Sequence, residues 1–173
     1  MKQFVEVTKN FFNDEELKII MDYGNEIFEE KHLLGNDKSL GWGPGLNPSS
    51  SDIHIYPVDP SIDSEIHEMI SEKAKQHFNM KIQGICYHWW LPGSHIHWHN
   101  DANRGGAATI YLNPEWDKEY NGFFIYELDG KFGIELPEFN KCVFQHGGVM
   151  HATTPVSLNA PIRKSLQIFL NHE

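Results

Sequence analysis

The chain is poor in cysteine, with two in 173 residues, and it has no long hydrophobic run. Cys86 and Cys142 lie far apart and outside any Cys-x-x-Cys spacing, so neither a disulfide framework nor a cysteine zinc site is expected. No stretch approaches the roughly 20 apolar residues that span a bilayer. The first residues also lack the apolar segment of a secretory signal. These absences predict a soluble, cytoplasmic protein with two reduced thiols and no membrane partner.

Positive charge is also scarce. Lys and Arg number 14 against 24 Asp and Glu, which gives a formal net charge of −10. Because proteins that bind nucleic acids neutralise phosphates with cations, this balance argues against a nucleic-acid partner, although a local basic groove is compatible with it. The length and the 40% hydrophobic content predict a single globular domain over residues 1–173. The oligomeric state is not determined by these features.

Residues 1–80 predict helical support and one long loop. Asn13 and Glu16 have the spacing of a capping box, which predicts a helix over 14–30. A second set of apolar residues at helical spacing predicts a helix over 62–78. A short strand is expected at 53–56, before Pro57.

A stretch rich in glycine, proline and serine covers residues 41–51 and predicts a loop. It contains Trp42, a large aromatic side chain on a segment without regular structure. A lid that closes on a substrate is one use of such a residue, and we state it as a hypothesis.

Residues 81–173 predict a β-rich core. Asp129-Gly130 separates two apolar runs, which is a strong hairpin signal. With 53–56, about eight short strands are expected, and those of the core are 82–91, 107–112, 123–128, 131–136, 142–145, 151–156 and 164–170. Many short strands with glycine and proline between them favour a mainly β, α+β fold, namely a double-stranded β-helix (jelly roll) with N-terminal helices covering one sheet.

Three residues of the core have the composition of a metal site. His99 and Asp101 are two residues apart, so on an extended segment their side chains point to the same face. His151 precedes a strand-like run that a jelly roll can return beside the one that carries His99. Two imidazoles and one carboxylate form the ligand set of non-haem Fe(II) oxygenases.

The last strand carries a second polar group. By alternation Arg163, Ser165, Gln167 and Phe169 share one face, while Leu166 and its neighbours two residues apart share the other. The first face is too polar for a packed core, and it suits the lining of a site in which an arginine grips a carboxylate. An exposed edge strand is the alternative for this stretch taken alone.

Other histidines are weaker candidates. His95 and His97 alternate with His99, but a zinc hydrolase would need an Asp-His pair after them. A cupin would need a glutamate three or four residues later, and neither follows. His95 and His97 are therefore interpreted as residues of the pocket rim or of the solvated surface.

Several ordered motifs carry a resemblance to a known family. They read WLPGSHIHWHND at 90–101, IYLNPEWD at 110–117, NGFF at 121–124, HATTPV at 151–156 and Arg163-x-Ser165. From about residue 84 onward the chain resembles the prolyl 4-hydroxylase-like branch of the Fe(II)/2-oxoglutarate-dependent dioxygenases. The family's first motif usually begins with tyrosine, and Trp90 in its place lacks a hydroxyl that could bond the cosubstrate.

The resemblance implies Fe(II) on His99, Asp101 and His151. It implies 2-oxoglutarate with its distal carboxylate on Arg163, with Ser165 and Tyr111 donating to the same molecule. Dioxygen is the other substrate, and ascorbate serves as a reductant. The reaction expected from the resemblance is hydroxylation of a C–H bond with release of succinate and CO2.

The same resemblance favours a prolyl residue of a protein or peptide as substrate. A small-molecule or free amino-acid hydroxylase is the second hypothesis, and a nucleic-acid demethylase is the third, disfavoured by the negative charge. From another class, a non-catalytic jelly-roll protein that binds a metal or ligand stays open.

Overall fold

The computed structural model describes residues 3–33 and 53–171, with side chains of 30–33 excepted. The predicted loop at 41–51, with Trp42, lies outside these residues. The elements in chain order are β1 (Val5–Thr8), α1 (Asp14–Leu33), β2 (Ile53–Pro57), α2 (Ser64–Phe78), β3 (Lys81–Trp90), β4 (Ile96–His99), β5 (Gly106–Tyr111), a short 3₁₀ helix (Lys118–Tyr120), β6 (Phe124–Leu128), β7 (Lys131–Glu135), β8 (Cys142–His146), β9 (Met150–Thr153) and β10 (Arg163–Asn171).

The strands form two antiparallel sheets. The larger has the order β1-β8-β5-β10-β3-β2, and the smaller has the order β4-β9-β6-β7. Side chains from both sheets line one pocket between them, while the helices cover the opposite face of the larger sheet. The double-stranded β-helix predicted from the sequence, with helical support, is confirmed.

The prediction of eight strands is too low, because β1 and β4 were missed. Each has only four residues, so its alternation of apolar and polar side chains is too short to stand out from the neighbouring sequence. The strand expected at 151–156 ends at Thr153, just before Pro155, which has no N–H to donate to a ladder. The two-residue hairpin is as predicted, with positive φ at both Asp129 and Gly130.

The start of α1 is the capping box that the sequence predicts. The backbone N–H of Glu16 donates to Asn13 Oδ1, and the backbone N–H of Asn13 donates to Glu16 Oε2, both at 2.9 Å. Two N–H groups that a helix start leaves without partners are thereby satisfied. The cap fixes where α1 begins and so how it crosses the sheet.

The helices bury one apolar face against the larger sheet. In α2 this face consists of Ile66, Ile70 and Ala74. From the sheet, β10 contributes Leu166, Ile168 and Leu170, which leaves its other face for the pocket. Neither helix in the described ranges is both long and apolar enough to cross a membrane.

Both cysteines carry free thiols, as the sequence predicts. Cys86 is half-buried on β3, and burial raises the pKa of its thiol to about 11. Cys142 is buried on β8, and its thiol pKa is also raised, chiefly by burial. Both thiols are therefore protonated at neutral pH and are poor nucleophiles.

Gly24 allows α1 to approach the sheet closely. A Cβ at this position would lie 2.7 Å from Cε1 of Tyr87 on β3. The hydroxyl of Tyr87 donates to the carbonyl of Ile20 at 2.9 Å, so the ring is held against the helix and cannot simply turn away. A glycine inside a helix normally costs stability, and here it is required by the packing.

Replacing Gly24 with alanine should therefore destabilise the protein despite the better helix propensity of alanine. We expect Gly24→Ala to lower the free energy of unfolding by about 1–3 kcal/mol, because the methyl group overpacks the contact with Tyr87. Urea unfolding measures this change. In a Tyr87→Leu background the same substitution should cost less, since the ring is gone. An equal or higher stability for Gly24→Ala alone would contradict the packing argument.

Candidate active site

The three predicted metal ligands meet at the edge of the smaller sheet. Strands β4 and β9 pair so that His99 lies opposite His151, with ring centroids 4.2 Å apart. Asp101 follows the end of β4 and places Oδ2 3.7 Å from His151 Nε2. One ligand atom from each residue lies within 4.8 Å of the others. This is a set of donors that could close on a single ion.

Backbone carbonyls fix the orientation of both imidazoles. His99 Nδ1 donates to the carbonyl of His97, and His151 Nδ1 donates to the carbonyl of Val149, each at 2.8 Å. A carbonyl can only accept, so Nδ1 carries the proton, and in the neutral ring the lone pair is on Nε2. Such outer contacts are the usual way in which metal-binding histidines are oriented.

Burial keeps His151 neutral. Its pKa is lowered to about 4, first by burial and then by the neighbouring His99. A metal ion needs the neutral imidazole as its ligand, so no proton competes at this position near pH 7.

Asp101 is held by Gln145, a residue that the sequence analysis did not single out. Gln145 Nε2 donates to Asp101 Oδ2 at 3.1 Å, and the side chain is buried. Arg104 Nη1 lies 4.0 Å from Asp101 Oδ1, with its guanidinium stacked 3.9 Å above the centre of the Phe169 ring. Gln145 lies two residues after Val143 on β8, so the two side chains share one face. This spacing is the one sequence signal that could have placed Gln145 on the inner face.

The pocket between the sheets connects this cluster with the polar face of β10. Arg163, Gln167 and Phe169 line it as the alternation predicts. The remaining lining residues come from both sheets and are His88, Trp90, Ile96, His99, Asp101, Thr109, Phe124, Gln145, His151 and Thr153. The exposed-edge alternative for β10 is wrong, since β10 is an interior strand between β5 and β3.

Arg163 is buried, and no acidic side chain of the described residues pairs with it. Its side chain is 1% exposed, with Cζ 4.6 Å from the centre of the Trp90 ring and 5.0 Å from that of Tyr111. Among the residues described, its Nε and Nη1 have no hydrogen-bond partner, and the same is true of the Tyr111 hydroxyl. Burial lowers the pKa of Arg163 and raises that of Tyr111.

These orphaned donors fit an anionic organic ligand. A buried guanidinium is costly unless an anion pairs with it, and a carboxylate accepts the parallel hydrogen bonds that arginine offers. Tyr111 adds a hydroxyl donor beside it. The distal carboxylate of 2-oxoglutarate has the charge and the acceptors that this end of the pocket requires.

Trp90 and Ser165 form a unit at the same end of the pocket. Trp90 Nε1 donates to Ser165 Oγ at 3.2 Å. The indole N–H is therefore used within the protein, at the position where the family's motif usually has a tyrosine. Ser165 accepts this bond and keeps its own O–H as a donor.

The other histidines in the described ranges lie outside the cluster. His97 is exposed, and His95 is half-buried, with Nδ1 3.2 Å from the carbonyl oxygen of Gly93. His88 lies on the inner face, opposite Ser165 in the β3–β10 ladder. Its pKa is lowered to about 3, first by burial and then by the charge of Arg163, so it is neutral at pH 7.

Comparison with known proteins agrees with this geometry. The model of the family described as the 2OG-Fe(II) oxygenase superfamily matches residues 82–171, more than half of the chain. No protein with a curated description matches the sequence.

Similar folds occur in solved structures at low sequence identity. A prolyl-4-hydroxylase from Pseudomonas putida has a TM-score of 0.72 and 17% identity, with 99% of this chain and 94% of that chain covered. A prolyl hydroxylase from Trichoplax adhaerens, in complex with a hypoxia inducible factor peptide fragment, gives 0.78 and 13%, with coverages of 96% and 83%. The epimerase SnoN, in complex with Fe3+, alpha ketoglutarate and nogalamycin RO, gives 0.67 and 12%, with coverages of 99% and 80%.

The buried neutral state of His88 predicts a pH dependence of stability. Its pKa is about 3 in the folded protein and about 6.5 in the unfolded chain. Between these values the unfolded state holds one more proton, so stability falls as pH falls. We expect His88→Gln to reduce the slope of unfolding free energy against pH by about 1.4 kcal/mol per pH unit between about pH 4 and 6.

Urea unfolding of the metal-free protein at several pH values measures this slope. His88→Phe packs differently from His88→Gln, but it likewise has no titrating group at this position. It should therefore reduce the slope by the same amount. A slope equal to that of the wild type in both variants would contradict the prediction.

Proposed function

The chain belongs to the 2OG-Fe(II) oxygenase superfamily, and from this membership we propose which residues hold the cofactors and which class of substrate is hydroxylated. As a member, the protein is a 2-oxoglutarate-dependent oxygenase that uses Fe(II) and O2. It hydroxylates a C–H bond and releases succinate and CO2. The polypeptide's part in this chemistry is to bind, orient and shield the reacting groups.

We assign the Fe(II) site to His99, Asp101 and His151. The observation that carries this assignment is the convergence of their ligand atoms within 4.8 Å. Two further contacts support it: the carbonyls that direct both Nε2 atoms, and the hydrogen bond from Gln145 that orients the Asp101 carboxylate. Three protein ligands on one side leave coordination positions open for the cosubstrate and O2. Bound together, the metal and 2-oxoglutarate would activate O2, which is the oxidant: one oxygen atom goes to succinate and the other to the hydroxylated product.

We assign the distal carboxylate of 2-oxoglutarate to Arg163, with Tyr111 and Ser165 as further donors. Arg163 is a buried cation that no described acid neutralises, and Tyr111 holds an unpartnered hydroxyl beside it. Trp90 supports the guanidinium with its ring and orients Ser165 through its N–H. The carboxylate of the ligand would thus supply the counter-charge that the described residues do not provide.

Apolar side chains form part of the pocket wall near His151. The Phe124 ring lies 5.3 Å from the His151 ring, and Ile96 is buried on the same sheet. Trp90 closes the Arg163 end. Apolar walls of this kind strengthen the electrostatic interactions on the side of the pocket that they cover.

We propose a prolyl residue of a protein or peptide as the substrate. The motif at 90–101 supports this, as do two similar structures of prolyl hydroxylases, one of them bound to a peptide fragment. The second candidate is a small-molecule substrate, favoured by the similarity to SnoN with its nogalamycin ligand. We further propose that residues 1–173 form one dioxygenase domain, that ascorbate serves as reductant and that nucleic acid is not the substrate.

The decisive experiment measures oxygen-dependent succinate formation by the Fe(II)-loaded protein with 2-oxoglutarate. Proline-containing peptides and proteins are added in turn, and mass spectrometry locates any added oxygen. We expect stimulated turnover and a mass increase of one oxygen on proline. His99→Ala should abolish turnover, whereas His97→Ala, which removes an exposed histidine two residues away, should retain it.

Each outcome decides between the candidates. Oxygen on another residue type, with proline untouched, eliminates the prolyl assignment. Turnover that only a small molecule stimulates favours the second candidate. Equal loss of turnover in His97→Ala and His99→Ala would contradict the assigned metal ligands.

Arg163→Met separates the cosubstrate role of Arg163 from its structural role. It removes a buried unpaired cation, so the ligand-free protein should be at least as stable as the wild type. It also removes the charge-assisted bonds to 2-oxoglutarate, and we expect the KM for 2-oxoglutarate to rise about 100-fold, equivalent to about 3 kcal/mol.

Thermal unfolding with and without 2-oxoglutarate, in the presence of a redox-inert divalent ion, checks this prediction. At a 2-oxoglutarate concentration near the wild-type KM, the wild type should be stabilised by the cosubstrate and the variant should show almost no stabilisation. A variant that 2-oxoglutarate still stabilises would remove Arg163 from the proposed site.

A further inference from the structure

Within the described ranges, the outermost strand of the smaller sheet has one unpaired edge. β7 is the last strand in the order β4-β9-β6-β7, and no other described strand pairs with its free side. Two of its apolar side chains are exposed, Phe132 at 76% and Ile134 at 52%. Proteins usually protect such edges with proline, a bulge or many charges. β7 has no proline, its ladder with β6 is regular, and its two charged residues, Lys131 and Glu135, are of opposite sign.

The hairpin determines which backbone groups are free on this edge. Leu128 and Lys131 close a two-residue turn, so they form a hydrogen-bonded pair. Along an antiparallel ladder, hydrogen-bonded and non-bonded pairs alternate. Lys131 and Gly133 therefore bond to β6, and the N–H and C=O groups of Phe132 and Ile134 point outward.

We propose that a second copy of this chain binds here, with the two β7 strands antiparallel about a twofold axis at Gly133. Phe132 then lies opposite Ile134 of the second copy, and each such pair exchanges both backbone hydrogen bonds. Gly133 faces its own equivalent as the close, non-bonded pair that alternation requires at the axis. The two smaller sheets become one continuous sheet.

The side chains match in this register. Lys131 lies opposite Glu135 of the second copy, and Phe132 opposite Ile134, so both a charge pair and an apolar pair form on each side of the axis. Glu135 Oε2 accepts a hydrogen bond from Lys141 at 3.3 Å, which leaves Oε1 for the approaching lysine.

Shifted registers lose these contacts. If Phe132 faced its own equivalent, Ile134 would lie opposite Gly130 in the turn. If Ile134 faced its own equivalent, Phe132 would lie opposite Leu136, beyond the end of the strand. Only the register centred on Gly133 keeps every outward backbone group of Phe132 and Ile134 within paired strand.

The surrounding surface is apolar on the same face. Trp98 is 43% exposed, and its ring centroid lies 5.9 Å from that of Phe132. Pairing brings Phe132 and Ile134 of both copies together beside Trp98 and buries apolar area that is otherwise in water. The metal-binding cluster lies on β4 and β9, at the other side of the sheet, so each site stays accessible in the pair.

The test is the molecular mass in solution, measured by sedimentation equilibrium over a range of protein concentrations. One chain has a mass of 20.0 kDa, and we expect the wild type to approach twice this value at micromolar concentration. Phe132→Lys should raise the dissociation constant of the pair at least about 100-fold, since it places a charge within the apolar pair. Ile134→Pro should do the same by removing an outward N–H that the single copy does not use.

Ile62→Lys is the matched control, because Ile62 is also 76% exposed and lies far from β7 in sequence. It should leave the mass unchanged. Circular dichroism and succinate formation should be unchanged in Phe132→Lys, which shows that the fold and the site are intact. A wild type that is still monomeric at about 100 micromolar, which is the dissociation constant of a weak complex, would overturn the inference. So would a pair that both β7 variants leave intact.

Discussion

The pairing of His99 with His151 across β4 and β9 is the constraint on which the site depends. A side chain on a strand alternates between faces, so a slip of one residue in this ladder would turn His151 away from the pocket. An irregularity between Ile96 and His99 re-aims the end of β4, as bulges beside active sites commonly do. The register of β9 is in turn fixed by β6, and that of β6 by the tight turn at Asp129-Gly130. A two-residue turn thus contributes to the position of a metal ligand on a different strand.

The other end of the pocket is built at a cost to the unliganded protein. Arg163 is removed from water and receives two aromatic rings but no described carboxylate. Aromatic faces offset only part of the desolvation of a guanidinium. A ligand that supplies the missing anion stabilises the folded state by mass action. The unpaired charge of Arg163 therefore both lowers the stability of the unliganded protein and favours binding of an anion.

Local and periodic features were predictable from the sequence, whereas contacts distant in the chain were only partly so. The capping box of Asn13, the hairpin and the two faces of β10 follow from spacing alone, and all three were found. β4 was missed because its alternation covers only four residues, and its pairing with β9 makes it a strand. Gln145 was missed because its partner Asp101 is 44 positions away. The need for Gly24 lies in the ring of Tyr87, which no helix pattern reveals.

The charge balance of the pocket depends on two histidines, His88 and His151, that stay neutral. Burial lowers the pKa of both His88 and His151 well below 7, so neither ring adds a charge to those of Asp101 and Arg163. With the proposed roles, a divalent ion on Asp101 retains one positive charge, and Arg163 provides a second at the opposite end. A dianion of matching length balances both, one at each carboxylate. A protonated His88 would add a third positive charge close to Arg163, and its burial prevents this. The pocket is therefore electrically complete only when metal and dianion are both present, which favours binding of the metal before the cosubstrate.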